Sequence, residues 1–166
     1  MSRFRTFRDL FEHEIRDLYS AEGQLTDALM KMQRAASSPE LRQAFDMHLE
    51  QTRNHRDRLE KIGRICGFDV QGETCEAMKG LVMEGRQIIE SDNADPDVRD
   101  AALISSAQRV EHYEIAGYGA ARSYAQRLGF GEAADLLRQT LDEEKDTNSK
   151  LNRIAEEHIN EAAMQH

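Results

Sequence analysis

An all-α fold is predicted by three features of the 166-residue chain. Breakers are scarce, with 2 prolines, and helix formers abound in a chain that is 39% hydrophobic and has no tryptophan. Apolar residues recur at helical spacing along four long segments. The stretches between those segments hold the residues that start and stop helices. The length suits one domain with its own core and is short for two, so residues 1–166 are read as a single domain.

The first helix is expected from about Thr6, whose hydroxyl suits an N-cap, to about Ala36. Its stripe is Phe11, Ile15, Leu18, Leu25, Leu29 and Met32, on a rod of roughly 45 Å. Ser38-Pro39-Glu40 restarts the chain, with Ser as cap and Pro as first helical residue. The second helix turns Leu41, Phe45, Leu59, Ile62 and Cys66 inward and ends at Gly67. Residues 67–95 form a long connection with a turn at Gly72 and a shorter helix from about Thr74 to Glu90. Asn93-Ala94-Asp95-Pro96 breaks the chain again. The third long helix runs from about Asp97 to Leu128 on Leu103, Ala107, Val110 and Ala121. Gly129-Phe130-Gly131 turns into the fourth, which carries Leu137, Leu141, Leu151 and Ala155. Two hairpins joined by one long crossover is the ferritin-like arrangement of a four-helix bundle.

An internal repeat agrees with two hairpins. A shift of 92 positions lays Leu18 on Val110, Leu25 on Gly117, Phe45 on Leu137, Leu49 on Leu141, Leu59 on Leu151 and Ile62 on Ile154. The same shift lays Glu22 on Glu114, an acidic residue on the apolar stripe of both halves.

The charge balance excludes several functions. Acidic residues outnumber basic ones, 31 to 22, for a formal charge of −9. Nucleic acid and anionic membrane surfaces both need a basic face, so neither is an expected partner. No apolar run approaches the ~18 residues of a membrane span, and the start Met1-Ser-Arg-Phe-Arg-Thr-Phe-Arg8 lacks the apolar core of a secretory signal. Cys66 and Cys75 make no disulfide framework and fit a reducing compartment, so a cytoplasmic location is expected. No phosphate loop, Cys-x-x-Cys pair or Gly-x-Ser-x-Gly elbow is present.

The informative residues are polar ones on apolar stripes. At about 100° per residue, Glu22 lies about 20° from the centre of the first stripe and Glu114 about 20° off the third. Glu111, one turn earlier, stands near the edge at about 80°. Glu144 takes the apolar place expected between Leu141 and Leu151, and His48, Thr52 and His55 interrupt the run from Phe45 to Leu59. All four interruptions fall at mid-helix and at matching heights.

Buried carboxylates on facing helices need a reason, and a divalent cation supplies one by taking their oxygens as ligands. Di-iron and di-manganese bundles take one Glu from each of two helices and a Glu-x-x-His from each of the other two. Glu22 and Glu114 occupy the single-Glu places, whereas Thr52-x-x-His55 and Glu144-x-x-Thr147 each keep one half of the paired motif. The expected ligands are Glu22, His55, Glu111, Glu114 and Glu144 around one or two Fe or Mn ions. Carboxylates with one or two imidazoles favour these metals over Zn held by thiolates. Glu114 or Glu144 would bridge, Glu22 and Glu111 would be terminal ligands, and the centre would meet peroxide or oxygen. The alternative is a metal-free polar network of Glu, His, Thr and Tyr19, kept neutral by arginines or shared protons. Such a chain would be a structural or interaction module that dimerises through its helices.

Six segments carry a family resemblance: Asp17-Leu-Tyr-Ser-Ala-Glu-Gly-Gln-Leu25, His48-Leu-Glu-Gln-Thr52, Cys75-Glu-Ala-Met78, Val98-Arg-Asp-Ala-Ala-Leu103, Val110-Glu-His-Tyr-Glu-Ile115 and Thr140-Leu-Asp-Glu-Glu-Lys145. Through them the chain resembles the YciE/YciF-like bacterial stress proteins of the ferritin-like superfamily. The resemblance implies a ferritin-like bundle, a homodimer and a site similar to the di-metal domain of rubrerythrin, without implying a reaction. His-Leu-Glu-x-Thr also puts Glu50 forward, yet it lies about 180° from its stripe and ranks below His55.

The remaining residues have plainer expectations. His13, His112, His158 and His166 read as surface residues. Cys66 and Cys75 read as small buried hydrophobes. Tyr19, one turn before Glu22, is expected either to bond a ligand carboxylate or to pack in the core. Of Asp142-Glu143-Glu144, only Glu144 is expected to face inward.

Overall fold

Thr6 opens the first helix through a capping box: its hydroxyl accepts from Asp9 N–H, and the Asp9 carboxylate accepts from Thr6 N–H. In this computed structural model, which describes residues 4–91 and 94–165, that helix is α1 (Phe7–Ala35). Met1–Arg3, Asp92, Asn93 and His166, to which the reading of the N-terminal start, of the Asn93–Pro96 break and of one surface histidine extends, lie outside the described residues. Ser38 caps α2 (Pro39–Cys66), and Gly67, at φ 77°, ends it in the left-handed conformation that glycine adopts without steric cost. Cys75 caps the crossover helix α3 (Glu76–Ile89), and Asp95 accepts from Asp97 N–H and Val98 N–H to start α4 (Pro96–Arg127). Helix α5 (Gly131–Ile154) is the fourth long helix. Expected and observed ends agree within about two residues.

The chain continues past α5 through a π-helical turn, Ala155–Ile159, into the short α6 (Asn160–Ala163). The wider turn brings Ile159 to the same side as Ile154, so both are buried, whereas five residues of α-helix would leave them about 140° apart.

Helices α1 and α2 form one hairpin and α4 and α5 the other, with α3 packed on α1 and α4. The architecture is the all-α, ferritin-like four-helix bundle with a fifth helix in the crossover. Among the described residues there is no strand, and no helix is long and apolar enough to cross a membrane. Gly117 marks where α1 and α4 meet, since a Cβ there would lie 2.8 Å from Leu18 Cδ2.

Two apolar clusters fill the bundle. One gathers Leu25, Leu29, Phe45, Leu103, Val110 and Ile154. The other gathers Phe11, Ile15, Leu18, Leu59, Leu137 and Leu141. Between them lies a single polar layer, contributed by α1, α2, α4 and α5. Asp100, fully buried, accepts from Ser37 N–H (2.8 Å) and Ser38 N–H (2.7 Å) and ties the first turn of α4 to the α1–α2 loop.

Candidate metal centre

The polar layer holds Glu22 from α1, His48, Thr52 and His55 from α2, Glu111 and Glu114 from α4, and Glu144 from α5, each 0–1% exposed. The packing of the flanking apolar turns fixes their height, because each replaces one apolar residue on a stripe that must face the core. Their donor atoms form two groups, within which all lie no more than 4.8 Å apart: His48, Glu111, Glu114 and Glu144, and Glu22, His55 and Glu144. Glu144 belongs to both. The five residues expected from sequence are thus brought together, and His48 joins them, its Nε2 2.9 Å from Glu111 Oε1.

Most of these atoms have no hydrogen-bond partner. Both oxygens of Glu111, Glu114 and Glu144, Glu22 Oε2, both ring nitrogens of His48 and His55 Nδ1 lack one among the described residues. His55 Nδ1 lies 2.9 Å from Glu144 Oε1 and 3.3 Å from Glu22 Oε1, close in distance but off the hydrogen-bond line. A buried polar atom left unpaired costs about 1–3 kcal/mol, so a cluster of this size is a strained arrangement for a metal-free protein. Four carboxylates and two imidazoles converging with so few hydrogen bonds among them fit a hard divalent cation.

The protonation pattern has the same origin. Burial, reinforced by the charge of Glu144, pushes Glu111 and Glu114 well above the usual carboxylate range. Burial also works to raise Glu144, but the positive charge of His55 beside it overrides burial and holds Glu144 at about 2. Burial opposes the charge on His55, yet Glu143, Glu144 and Glu22 outweigh it and lift His55 to about 12. His48 is pushed down by burial, with Glu144 and Glu22 acting against the shift.

Three further residues, Glu143, Arg58 and Tyr118, complete the geometry. His55 Nε2–H donates to Glu143 Oε2 (2.8 Å), and Arg58 grips the same carboxylate through both terminal nitrogens at 2.6 and 2.9 Å. This arrangement fixes the imidazole so that Nδ1 faces Glu22 and Glu144. The expectation that Glu143 belongs to a solvated face is therefore corrected: its side chain reaches from α5 to His55 and Arg58 on α2 and is only partly exposed. Tyr118, fully buried, donates to Glu22 Oε1 (2.5 Å), and its ring meets His55 edge-on. Its position one turn after Glu114 is the signal that could have found it.

Tyr19 does not bond a ligand carboxylate: its hydroxyl donates to Glu60 and accepts from Arg56, whose guanidinium covers the ring. Glu50 is exposed and pairs with Arg53 on the outer face of α2, as its angle predicts. Thr147, which corresponds to His55 in the 92-residue repeat, donates to Gln51, just as His55 donates to Glu143, the repeat counterpart of Gln51. His112 and His158 are exposed, but His13 is partly buried beside Glu73 and the Phe4 ring. Cys66 and Cys75 are free thiols, both buried, and burial raises both.

Comparison with known proteins places the chain among relatives. Residues 6–164 match the family described as a domain of unknown function, DUF892. Protein YciF of Escherichia coli K12 is 45% identical over 160 residues, 96% of each chain. The crystal structure of the E. coli stress protein YciF superposes with a TM-score of 0.90, covering 95% of this chain and 99% of that one. YcfI from Rhodopseudomonas palustris, provisionally named a structural protein, is 41% identical with a TM-score of 0.86 over 92% of this chain and 97% of its own. A Xanthomonas campestris protein, XCC3681, shares the fold at 17% identity, with a TM-score of 0.79 over 96% of this chain and 98% of its own.

Proposed function

The chain belongs to the DUF892 family, and from that premise we propose that it is a stress-associated protein holding one or two Fe or Mn ions in its bundle core. The observation that carries the reading is the set of buried, unpartnered oxygen and nitrogen atoms in two groups that share Glu144. A bound redox cation would supply electron exchange with peroxide or oxygen. The chain's own residues do the rest. Glu144 lies between the two groups and is suited to bridge, with Glu22 on one side and Glu111, Glu114 and His48 on the other. His55 Nδ1 would be the nitrogen donor on the Glu22 side, held in place by Glu143 and Arg58. Tyr118 fixes the orientation of the Glu22 carboxylate. The apolar clusters above and below exclude water, which strengthens each charge interaction in the layer. A cytoplasmic location and a homodimeric assembly belong to the same proposal.

A second reading, a metal-free structural module, is favoured by one observation: His55 already faces Glu143, Glu144 and Glu22 and offsets part of their charge. Calorimetric titration with Fe(II) under anaerobic conditions, and with Mn(II), separates the two readings. The metal reading expects saturable binding by the parent and none by Glu144→Leu. Parent protein that takes up neither ion supports the module, and a Leu variant that binds like the parent contradicts the ligand assignment.

A further inference from the structure

Beside the carboxylate layer, α1, α3 and α4 leave a cavity of about 40 Å³. Leu25, Ala28, Met32, Val82, Ile89 and Val110 form much of its wall, and Lys31 and Arg86, both exposed, also line it. That space exceeds the need of one water, but an ordered water requires two to four polar partners. Ser106 is the one buried polar side chain on the wall. A small apolar guest loses no hydrogen bond there and gains contacts with the lining side chains.

The inner wall backs onto the centre. Leu25 stands one turn after Glu22 on α1, and Val110 one turn before Glu114 on α4, and residues so spaced are neighbours on one helix face. We infer that this cavity admits dioxygen and holds it next to the cation centre. The inference deepens the proposed function and rests on it. Hydrogen peroxide, which carries two donors and several acceptor sites, finds one hydroxyl on this wall and is not retained by it.

Xenon tests the cavity without any metal. Under xenon pressure, the methyl resonances of Leu25, Val82, Ile89 and Val110 in the apo protein should shift together, and Ala28→Leu, which fills the space, should abolish the shifts. In the Fe(II)-loaded protein the reaction is balanced: dioxygen takes one electron from each of two Fe(II) ions and two protons and leaves as hydrogen peroxide. Ala28→Leu should slow that oxidation at least about tenfold while Fe(II) affinity and the rate with added peroxide stay within about twofold. Val82→Phe fills the cavity from the opposite wall, so the test stands if one variant fails to fold. Absent xenon shifts, or a filled and folded variant that oxidises at the parental rate in dioxygen, would overturn the inference. A parent chain that binds no Fe(II) overturns the proposed metal centre and the delivery role together, while xenon still reports on the cavity.

Discussion

Adding Mn(II) to the metal-free protein should raise its melting temperature, and Glu144→Leu should remove the effect. A ligand that binds only the folded chain stabilises it by about 2.7 kcal/mol when its free concentration is 100 times Kd. For a chain of this length each kcal/mol is worth roughly 2–4 °C, so filling one site predicts a rise of roughly 5–11 °C. Glu144 belongs to both groups of donor atoms, so its loss removes a ligand from each. The metal-free variant should itself melt within a few degrees of the metal-free parent. Removing this buried carboxylate relieves repulsion with Glu111, and His55 still faces Glu143 and Glu22. Scanning calorimetry across a Mn(II) series, with Mg(II) as the control ion, measures both numbers. A Leu variant that shows the parental Mn(II) shift would refute the reasoning.

Other predictions follow from the same geometry. Glu143→Gln weakens the support of the His55 ring and should lower Fe(II) or Mn(II) affinity about 10–100-fold without abolishing it, read by calorimetry. Because burial holds protons on Glu111 and Glu114, cation uptake should release protons, and affinity should rise with pH. Titrations in buffers of different ionisation enthalpy check both points, and proton-neutral binding would contradict the stated protonation. Asp100→Ala leaves the Ser37 and Ser38 N–H groups without their buried acceptor and should cost about 3 kcal/mol in chemical denaturation, with Mn(II) affinity unchanged.

Glu22, Glu114 and Glu144 are legible in the sequence because a long amphipathic helix gives a charge on its apolar stripe nowhere else to go. The helix ends are legible for a similarly local reason, since Thr6, Ser38, Gly67 and Asp95 act on backbone groups within their own turn. Residues that act between helices are not. Glu143 points about 100° from Glu144, and it meets His55 and Arg58 only because the facing helix presents both to it. Tyr19 has the spacing to meet Glu22, yet Arg56 and Glu60 hold it at the α1–α2 seam, and Tyr118 from α4 takes that place instead. His48 lies on its stripe, but whether it meets Glu111 depends on how α2 sits against α4, which periodicity does not encode. The π-helical turn likewise answers to burial of Ile159 rather than to any cap or breaker residue.

Metal content per chain tests the central claim most directly. Untagged protein would be purified without chelator, loaded with Fe(II) or Mn(II), freed of excess ion and analysed by mass spectrometry of the elements. The account predicts one or two ions per chain, two if each donor group fills and one if the shared Glu144 lets only one fill, and none in Glu144→Leu. Parent protein that retains no ion under either condition would contradict it.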